Sequence, residues 1–386
     1  MIERLHIENF KAIRELSLEF GKVAVFVGPN SSGKTSVLEA VRLSFLAGYS
    51  DPDQVFRGRL SHENLVSSGA KDENVSLVWM GREDESVELS VNLFSRKNAA
   101  VNNWSISVRA TIVVGEDSYN SSSYFPARDP GDPWPEPFTR KNIAPPFLIA
   151  FELSNLAEPS YSEELSPTVH SDGSGLASAL TYMASNNPDA FVRLQDDLRK
   201  IIPEVRRVRT RRAKVQRQRQ QIITVDGQSI TRNIDEEIIG DEILFDMQHA
   251  EGLPAYAVSE GTLIALGLLT VLHSEQRPSL LLIDDLEHGL HPAALGKMVA
   301  VLRDLQEQNE GLQIMATTHS PYLLDHFEAE EVFLTVLDDQ GHTLCAKLTE
   351  HPEYEKWKDD MAPGEFWSFA AEDWIKQRAA TPGAGE

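Results

Sequence analysis

Residues 28–35 read GPNSSGKT and fit G-x-x-x-x-G-K-[ST] at every constrained position. Glycines in such a loop let the backbone wrap closely around phosphate oxygens, with its N–H groups pointing inward. Asn30, Ser31, Ser32, Gly33, Lys34, Thr35 and Ser36 are the candidate phosphate contacts. Lys34 would reach the β and γ phosphates of a nucleoside triphosphate, and Thr35 would offer its hydroxyl to Mg²⁺. An acidic element, LLLIDD, follows at 280–285. Four apolar residues place Asp284 at the C-terminal edge of a parallel sheet, where ligands bind. Asp284 would hold Mg²⁺ through a water, and Asp285 or Glu287 would orient or deprotonate an attacking water. A third set is ATTHSP, 316–321, whose His319 could touch a γ-phosphate and report its presence. A fourth is SEGT, 259–262, at the start of a helix. Helix N-termini bind anions through free N–H groups and the helix dipole, which makes Ser259, Glu260 and Gly261 candidates. Alone, His319 reads as a structural histidine and SEGT as a plain helix cap.

The elements around these residues have the required types. Val23 to Val27 is a continuous apolar run, a buried strand that feeds into the glycine loop. Val37, Ala40, Val41 and Phe45 follow at helical spacing. Residues 280–283 and 312–317 read as buried strands, and 259–273 and 292–308 as helices. Short alternating runs at 75–79, 87–94 and 104–114, set in Gly, Asn, Ser, Asp and Pro, read as antiparallel strands. The Pro-rich stretch 126–146 reads as a long loop. Helices are expected within 171–187 and over 188–200, the second marked by Asn187 and Pro188. Residues 205–225 read as a basic strand pair or hairpin with Asp226-Gly227 as its turn, and 243–258 as further strand. Residues 357–374 carry three of the six tryptophans and read as a small helical tail. No repeat of fixed period is visible.

Composition bounds the class. The chain has 386 residues with 36 basic and 59 acidic side chains, a formal charge of −23. An apolar fraction of 41% is that of a globular protein and excludes a mostly disordered chain. The single cysteine, Cys345, requires no oxidising compartment. The most apolar stretch, 263–272, is too short to span a bilayer, and the opening MIERLHIENF is no secretory signal. A soluble cytoplasmic protein without membrane contact is expected. The charge repels phosphates over most of the surface. Residues 199–219, however, hold ten Lys or Arg and one acid, a net +9 that leaves −32 for the rest. Contact with a polyanion or an acidic partner is expected there, at Arg206, Arg207, Arg209, Arg211 and Arg212.

The order glycine loop, SEGT, acidic strand end, histidine strand end resembles an ABC-type ATPase. The opening residues 2–41, the segment DGSGLASALTYMASNNPDAF at 172–191, and LLLIDDLEHGLHP at 280–292 are similar to the OLD/RecF-like branch, relatives of SMC proteins. The resemblance implies an α/β fold: an ABC-type ATPase head with a mixed β-sheet and P-loop, an antiparallel β subdomain and a short helical insertion. The division expected is 1–170 for the N-terminal ATPase lobe with its β subdomain, 171–242 for the helical and basic insertion, 243–340 for the C-terminal lobe, and 341–386 for a tail. ATP and Mg²⁺ are the implied ligands. Ser259 and Gly261 would bind the γ-phosphate held by a second copy in a homodimer or higher homo-oligomer. Asp285 stands where the family usually has Glu, one methylene longer, which implies slow hydrolysis. The signature is SEGT rather than LSGGQ, as is normal in this branch. The 67 residues after His319 show no glutamate plus Asp-x-Asp set, so the expectation is a short form without the Toprim nuclease of OLD nucleases. The long SMC coiled coil is not expected either. The Gln of the Q-loop is not identifiable, Gln54 being only compatible in position. Short forms resemble ATPase subunits of bacterial anti-phage systems with a separate effector protein, and a nucleotide-driven dimeric switch is the reading this supports. A RecF-like DNA-repair clamp is the alternative. The basic residues would line a DNA groove in one case, meet an acidic protein in the other, or simply be solvated.

Overall fold

The computed structural model describes residues 1–49, 65, 67, 75–81, 93–94, 105–114, 117–124, 146–225, 228–370 and 372–380. The chain forms two compact units that interleave in sequence: Met1–Leu148 with Pro278–Glu287 and Asn309–Glu386, and Ile149–Arg277 with His288–Gln308.

The first unit is built on a mixed six-stranded sheet. Its strand order is Thr343–Lys347, Val332–Leu337, Val23–Val27, Gln313–Thr318, Leu280–Ile283, Phe147–Ile149. Val23–Val27 runs parallel to both of its neighbours, and Gln313–Thr318 runs parallel to Leu280–Ile283. Thr343–Lys347 is antiparallel to Val332–Leu337, which makes the sheet mixed. Every residue of Val23–Val27 and Leu280–Ile283 is buried. An unalternating apolar run does this when both faces of a parallel strand are covered. Phe20, Phe26 and Phe333 pack as a ring cluster beside it, with centroids 5.2 to 6.2 Å apart.

A second, antiparallel sheet joins Ile13–Glu19, Ile2–Phe10 and Ser76–Gly81. Its register sets Leu5 against Leu18 and Ile7 against Leu16, so alternate apolar residues share one buried face. Helix Lys34–Tyr49 leaves the glycine loop as its apolar spacing requires. Ser105–Val114 and Asp117–Tyr124 pair antiparallel, in line with the alternating runs. Of the run at 87–94 only Leu93–Phe94 is described, and Gln54 and residues 126–145 lie outside the described residues. Helices Tyr354–Trp357, Pro363–Ala370 and Asp373–Ala380 form the tail.

The second unit holds the helices Leu153–Ala157, Leu176–Asn186, Pro188–Ile201, Glu260–His273 and Pro292–Gln308. Asn187 caps the third of these, accepting the Ala190 N–H at 3.2 Å, with Pro188 at the first position. Glu260–His273 is apolar nearly all round and correspondingly buried. Two sequence readings need correction. Residues 205–225 are one 21-residue strand, a single arm of the expected hairpin and not both of its strands. Its partner is Gln228–Met247, paired from Val225 with Gln228 down to Val205 with Met247. Residues 205–225 contain no Gly, Pro, Asn or Asp to reverse the chain within them; the expected turn, Asp226-Gly227, lies outside the described residues. Residues 243–258 are not one strand. Ile243 to Met247 end the ribbon, Leu253–Pro254 adds a short third strand, and Ala255–Ala257 is a 3₁₀ turn. No helix among the described residues is long and apolar enough to cross a membrane.

Candidate nucleotide site

The glycine loop sits between strand Val23–Val27 and helix Lys34–Tyr49. Asn30 and Ser31 are exposed at its rim, whereas Ser32, Gly33 and Lys34 are buried. Two threonines of the sheet seat the loop from behind. The Ser32 hydroxyl bonds that of Thr335 at 2.6 Å. Gly33 has φ +101°, and a Cβ there would lie 2.1 Å from Thr343 Oγ1, so only glycine fits. Lys34 Nζ donates to the carbonyls of Gly28 at 3.0 Å and Pro29 at 2.9 Å. Burial pushes its ammonium below the usual lysine value, and the charges of Asp285, Asp284 and Glu287 pull it back up.

The sheet brings the distant acids to this loop. Thr35 Oγ1 donates to Asp284 Oδ1 at 3.0 Å, across 249 positions of sequence. Thr317, buried in strand Gln313–Thr318, donates from Oγ1 to the same carboxylate oxygen at 2.7 Å. Thr317 Oγ1 also accepts the Asp285 N–H at 2.8 Å, and its carbonyl accepts the Leu286 N–H at 2.9 Å. Asp285 has φ +52°, a left-handed backbone that Asp and Asn tolerate better than other side chains do. His319 Nε2 lies 3.6 Å from Asp285 Oδ1. Burial, then the charges of Asp284 and Glu287, push the Asp285 carboxyl above the usual range, against the opposing pull of His319 and Lys34. Glu287 Oε1 accepts the backbone N–H of His319 at 2.6 Å. Its other oxygen, Oε2, is buried and has no partner among the described residues.

Lys34, Thr35, Asp284, Asp285, Glu287 and His319 therefore converge in the first unit. The oxygens of Thr35 and Asp284 are hard donors of the kind a divalent cation such as Mg²⁺ would take, and the orphan Glu287 Oε2 is a buried acceptor that a water or ligand donor would satisfy. Sequence reasoning missed Thr317, Thr335 and Thr343. For Thr317 and Thr335 a threonine inside a buried strand was the available signal, since a buried hydroxyl demands a partner; Thr343 Oγ1 has no hydrogen-bond partner among the described residues and meets the loop only by its close approach to Gly33.

Ser259, Glu260 and Gly261 belong to the second unit. Ser259 caps helix Glu260–His273, accepting the Thr262 N–H at 3.3 Å. Glu260 Oε1 pairs with His288 Nε2 at 3.0 Å. The five arginines lie on the ribbon, and four of them are ion-paired: Arg206 to Glu251 at 3.5 Å, Arg209 to Asp246 at 2.6 Å, Arg211 to Glu242, and Arg212 to Asp241 at 3.3 Å. Arg207 stands across from Asp246 in the register.

Residues 23–325 match the family described as "AAA domain, putative AbiEii toxin, Type IV TA system". The chain is 34% identical over 125 residues to an uncharacterized protein of Methanocaldococcus jannaschii, covering 27% of this chain and 57% of that one. It is 35% identical over 82 residues to the DNA double-strand break repair Rad50 ATPase of Methanopyrus kandleri, covering 21% of this chain and 8% of that protein. It is 40% identical over 43 residues to the OLD nuclease of Thermus scotoductus, covering 11% of this chain and 8% of the nuclease. The chain thus spans little more than half of the first relative and under a tenth of the other two. The fold is similar to the Smc head domain with an extended coiled coil, bound to the C-terminal domain of ScpA, derived from Pyrococcus furiosus. The TM-score is 0.50 at 13% identity, over 93% of this chain and 99% of that one.

Proposed function

This chain belongs to that AAA-domain family and is an ABC-type ATPase related to SMC, Rad50 and OLD proteins, and on that premise we propose that it binds ATP with Mg²⁺, hydrolyses it slowly, and works as a dimeric nucleotide-driven switch. The observation that carries the reading is the meeting of Thr35 and Asp284 at 3.0 Å beside a buried Lys34. Lys34 would exchange its two loop carbonyls for β and γ phosphate oxygens. Thr35 and Asp284 would hold the cation, which when bound neutralises charge developing on the phosphates. Asp285 would take the proton of the water whose oxygen bonds to the γ-phosphorus as the β–γ bridging bond breaks and ADP leaves. A carboxyl pushed above its usual range is a stronger base, which suits Asp285 to that role. Glu287 would hold the backbone of His319, whose imidazole would report the γ-phosphate. Ser259, Glu260 and Gly261 would engage the nucleotide of a second copy.

For a cytoplasmic role in anti-phage defence with a separate effector protein the support is the OLD-like motifs; the family's description, "putative AbiEii toxin, Type IV TA system", does not itself name an effector. The Rad50 relative supports the other reading, a DNA-binding repair ATPase; the ion-paired arginines of the ribbon weigh against it. Calorimetry of ATP binding to Lys34→Ala tests the site. Losing charge-assisted contacts worth about 1.5–3 kcal/mol weakens binding about 10- to 150-fold. A variant that binds ATP as tightly as the parent refutes the assignment.

A further inference from the structure

We infer that Thr317 is a positioning residue for hydrolysis, an inference that rests on the ATPase reading above. One hydroxyl performs two tasks. It donates to Asp284 Oδ1 at 2.7 Å, which fixes the rotamer of the carboxylate that Thr35 also meets. It accepts the Asp285 N–H at 2.8 Å, which, with the Leu286 N–H on the Thr317 carbonyl at 2.9 Å, holds the turn in which Asp285 adopts φ +52°. That turn sets where the Asp285 carboxylate points, 3.6 Å from His319. Thr317 is wholly buried and cannot itself touch a nucleotide. It acts through the two acids, and a small misplacement of either slows chemistry strongly. Thr317 also precedes His319 by two residues on the same strand end, so a shift of that strand end reaches both acids through one side chain.

The shape of the side chain and its hydroxyl separate cleanly. Thr317→Val keeps the shape and deletes the hydroxyl; Thr317→Ser keeps the hydroxyl. In steady-state ATPase assays with Mg²⁺, Thr317→Val is expected to lower kcat tenfold or more, with KM for ATP within about twofold of the parent. Thr317→Ser is expected to stay within about threefold of the parent kcat. If the valine variant does not fold, Thr317→Ala, which only removes atoms, carries the same comparison. A hydroxyl-free variant with parental kcat overturns the inference. So does a loss that serine fails to restore, or one that appears equally in KM. A parent that binds no ATP and hydrolyses none overturns the ATPase reading itself, which the parent assay shows before any variant is made.

Discussion

Asp285→Asn separates the two candidate bases. Asn has the size of Asp and is equally at home at positive φ, so the turn at φ +52° and its bonds to Thr317 persist. What is lost is the capacity to take a proton. A positioned general base contributes about 10²–10⁴-fold, so the hydrolysis step should slow at least about 100-fold, roughly 2.7 kcal/mol. Glu287 is differently placed. Its Oε1 already serves the His319 N–H at 2.6 Å, and Glu287→Gln keeps an oxygen there. The bond passes from a charged to a neutral acceptor, a loss of about 1 kcal/mol, or about fivefold. Rapid-quench single-turnover measurements, with enzyme in excess over ATP, read the chemical step without product release. If Asp285→Asn stays within about threefold of the parent while Glu287→Gln falls about 100-fold, Glu287 is the base. Asp285→Glu adds a methylene, extending the reach by roughly 1.5 Å, and is expected to raise turnover. It should also lower stability by about 1 kcal/mol, since Glu is less tolerant of the left-handed backbone.

Gly364→Ala should destabilise the tail, because a Cβ there would lie 1.9 Å from the Pro321 carbonyl oxygen, a backbone atom that cannot move aside alone. Overpacking of this kind costs about 1–3 kcal/mol, and an unchanged melting temperature would refute the close approach. Asp197→Asn should destabilise the second unit at pH 7. Burial alone would push the Asp197 carboxyl up, but hydrogen bonds from His273 and Lys200 hold it below the usual range. Its contribution is therefore present above the unfolded value of about 3.9 and lost as pH falls through the lower folded value, so the variant's deficit in thermal unfolding should close below about pH 4. The ribbon should retain no duplex DNA at about 50 mM salt, with or without ATP. Binding that falls steeply with salt, and disappears when Arg206, Arg207, Arg209, Arg211 and Arg212 are neutralised, would instead favour the DNA-repair reading.

The nucleotide loop, the acidic strand end and the histidine strand end were legible because each rests on a local rule. A buried strand must be apolar, a phosphate loop needs glycine, and a ligand-binding acid sits where a parallel strand stops. The meeting of Thr35 with Asp284 follows from those rules once the sheet order is assumed. Thr317, Thr335 and Thr343 were not legible, because their value lies in which loop they touch, and that is set by strand order: Thr335 and Thr343 come from strands on one side of Val23–Val27, Thr317 from the strand on the other. The backbone of Asp285 was equally hidden. The sequence shows an Asp in place of an expected Glu, and the natural reading is a loss of reach. The left-handed φ supplies a second reason for the shorter acid, a conformational one that no spacing rule carries.

The basic segment shows how charge along a chain differs from charge in space. Read linearly, 199–219 is +9. Arg199 and Lys200 end helix Pro188–Ile201, and the rest of the basic residues lie on a ribbon strand that faces one carrying Asp235, Glu236, Glu237, Asp241, Glu242 and Asp246. Over 199–251 there are eleven basic and nine acidic residues, a net of +2. The register decides which charges meet. It sets Arg211 across from Glu242 and Arg212 across from Asp241, so adjacent arginines on opposite faces are each compensated from the neighbouring strand. Exposed pairs of this kind contribute little stability, about 0–1 kcal/mol each. Their larger effect is on binding. A polyanion approaching the ribbon meets these carboxylates beside every paired guanidinium, so the attraction that the +9 segment suggests is largely offset by the facing strand.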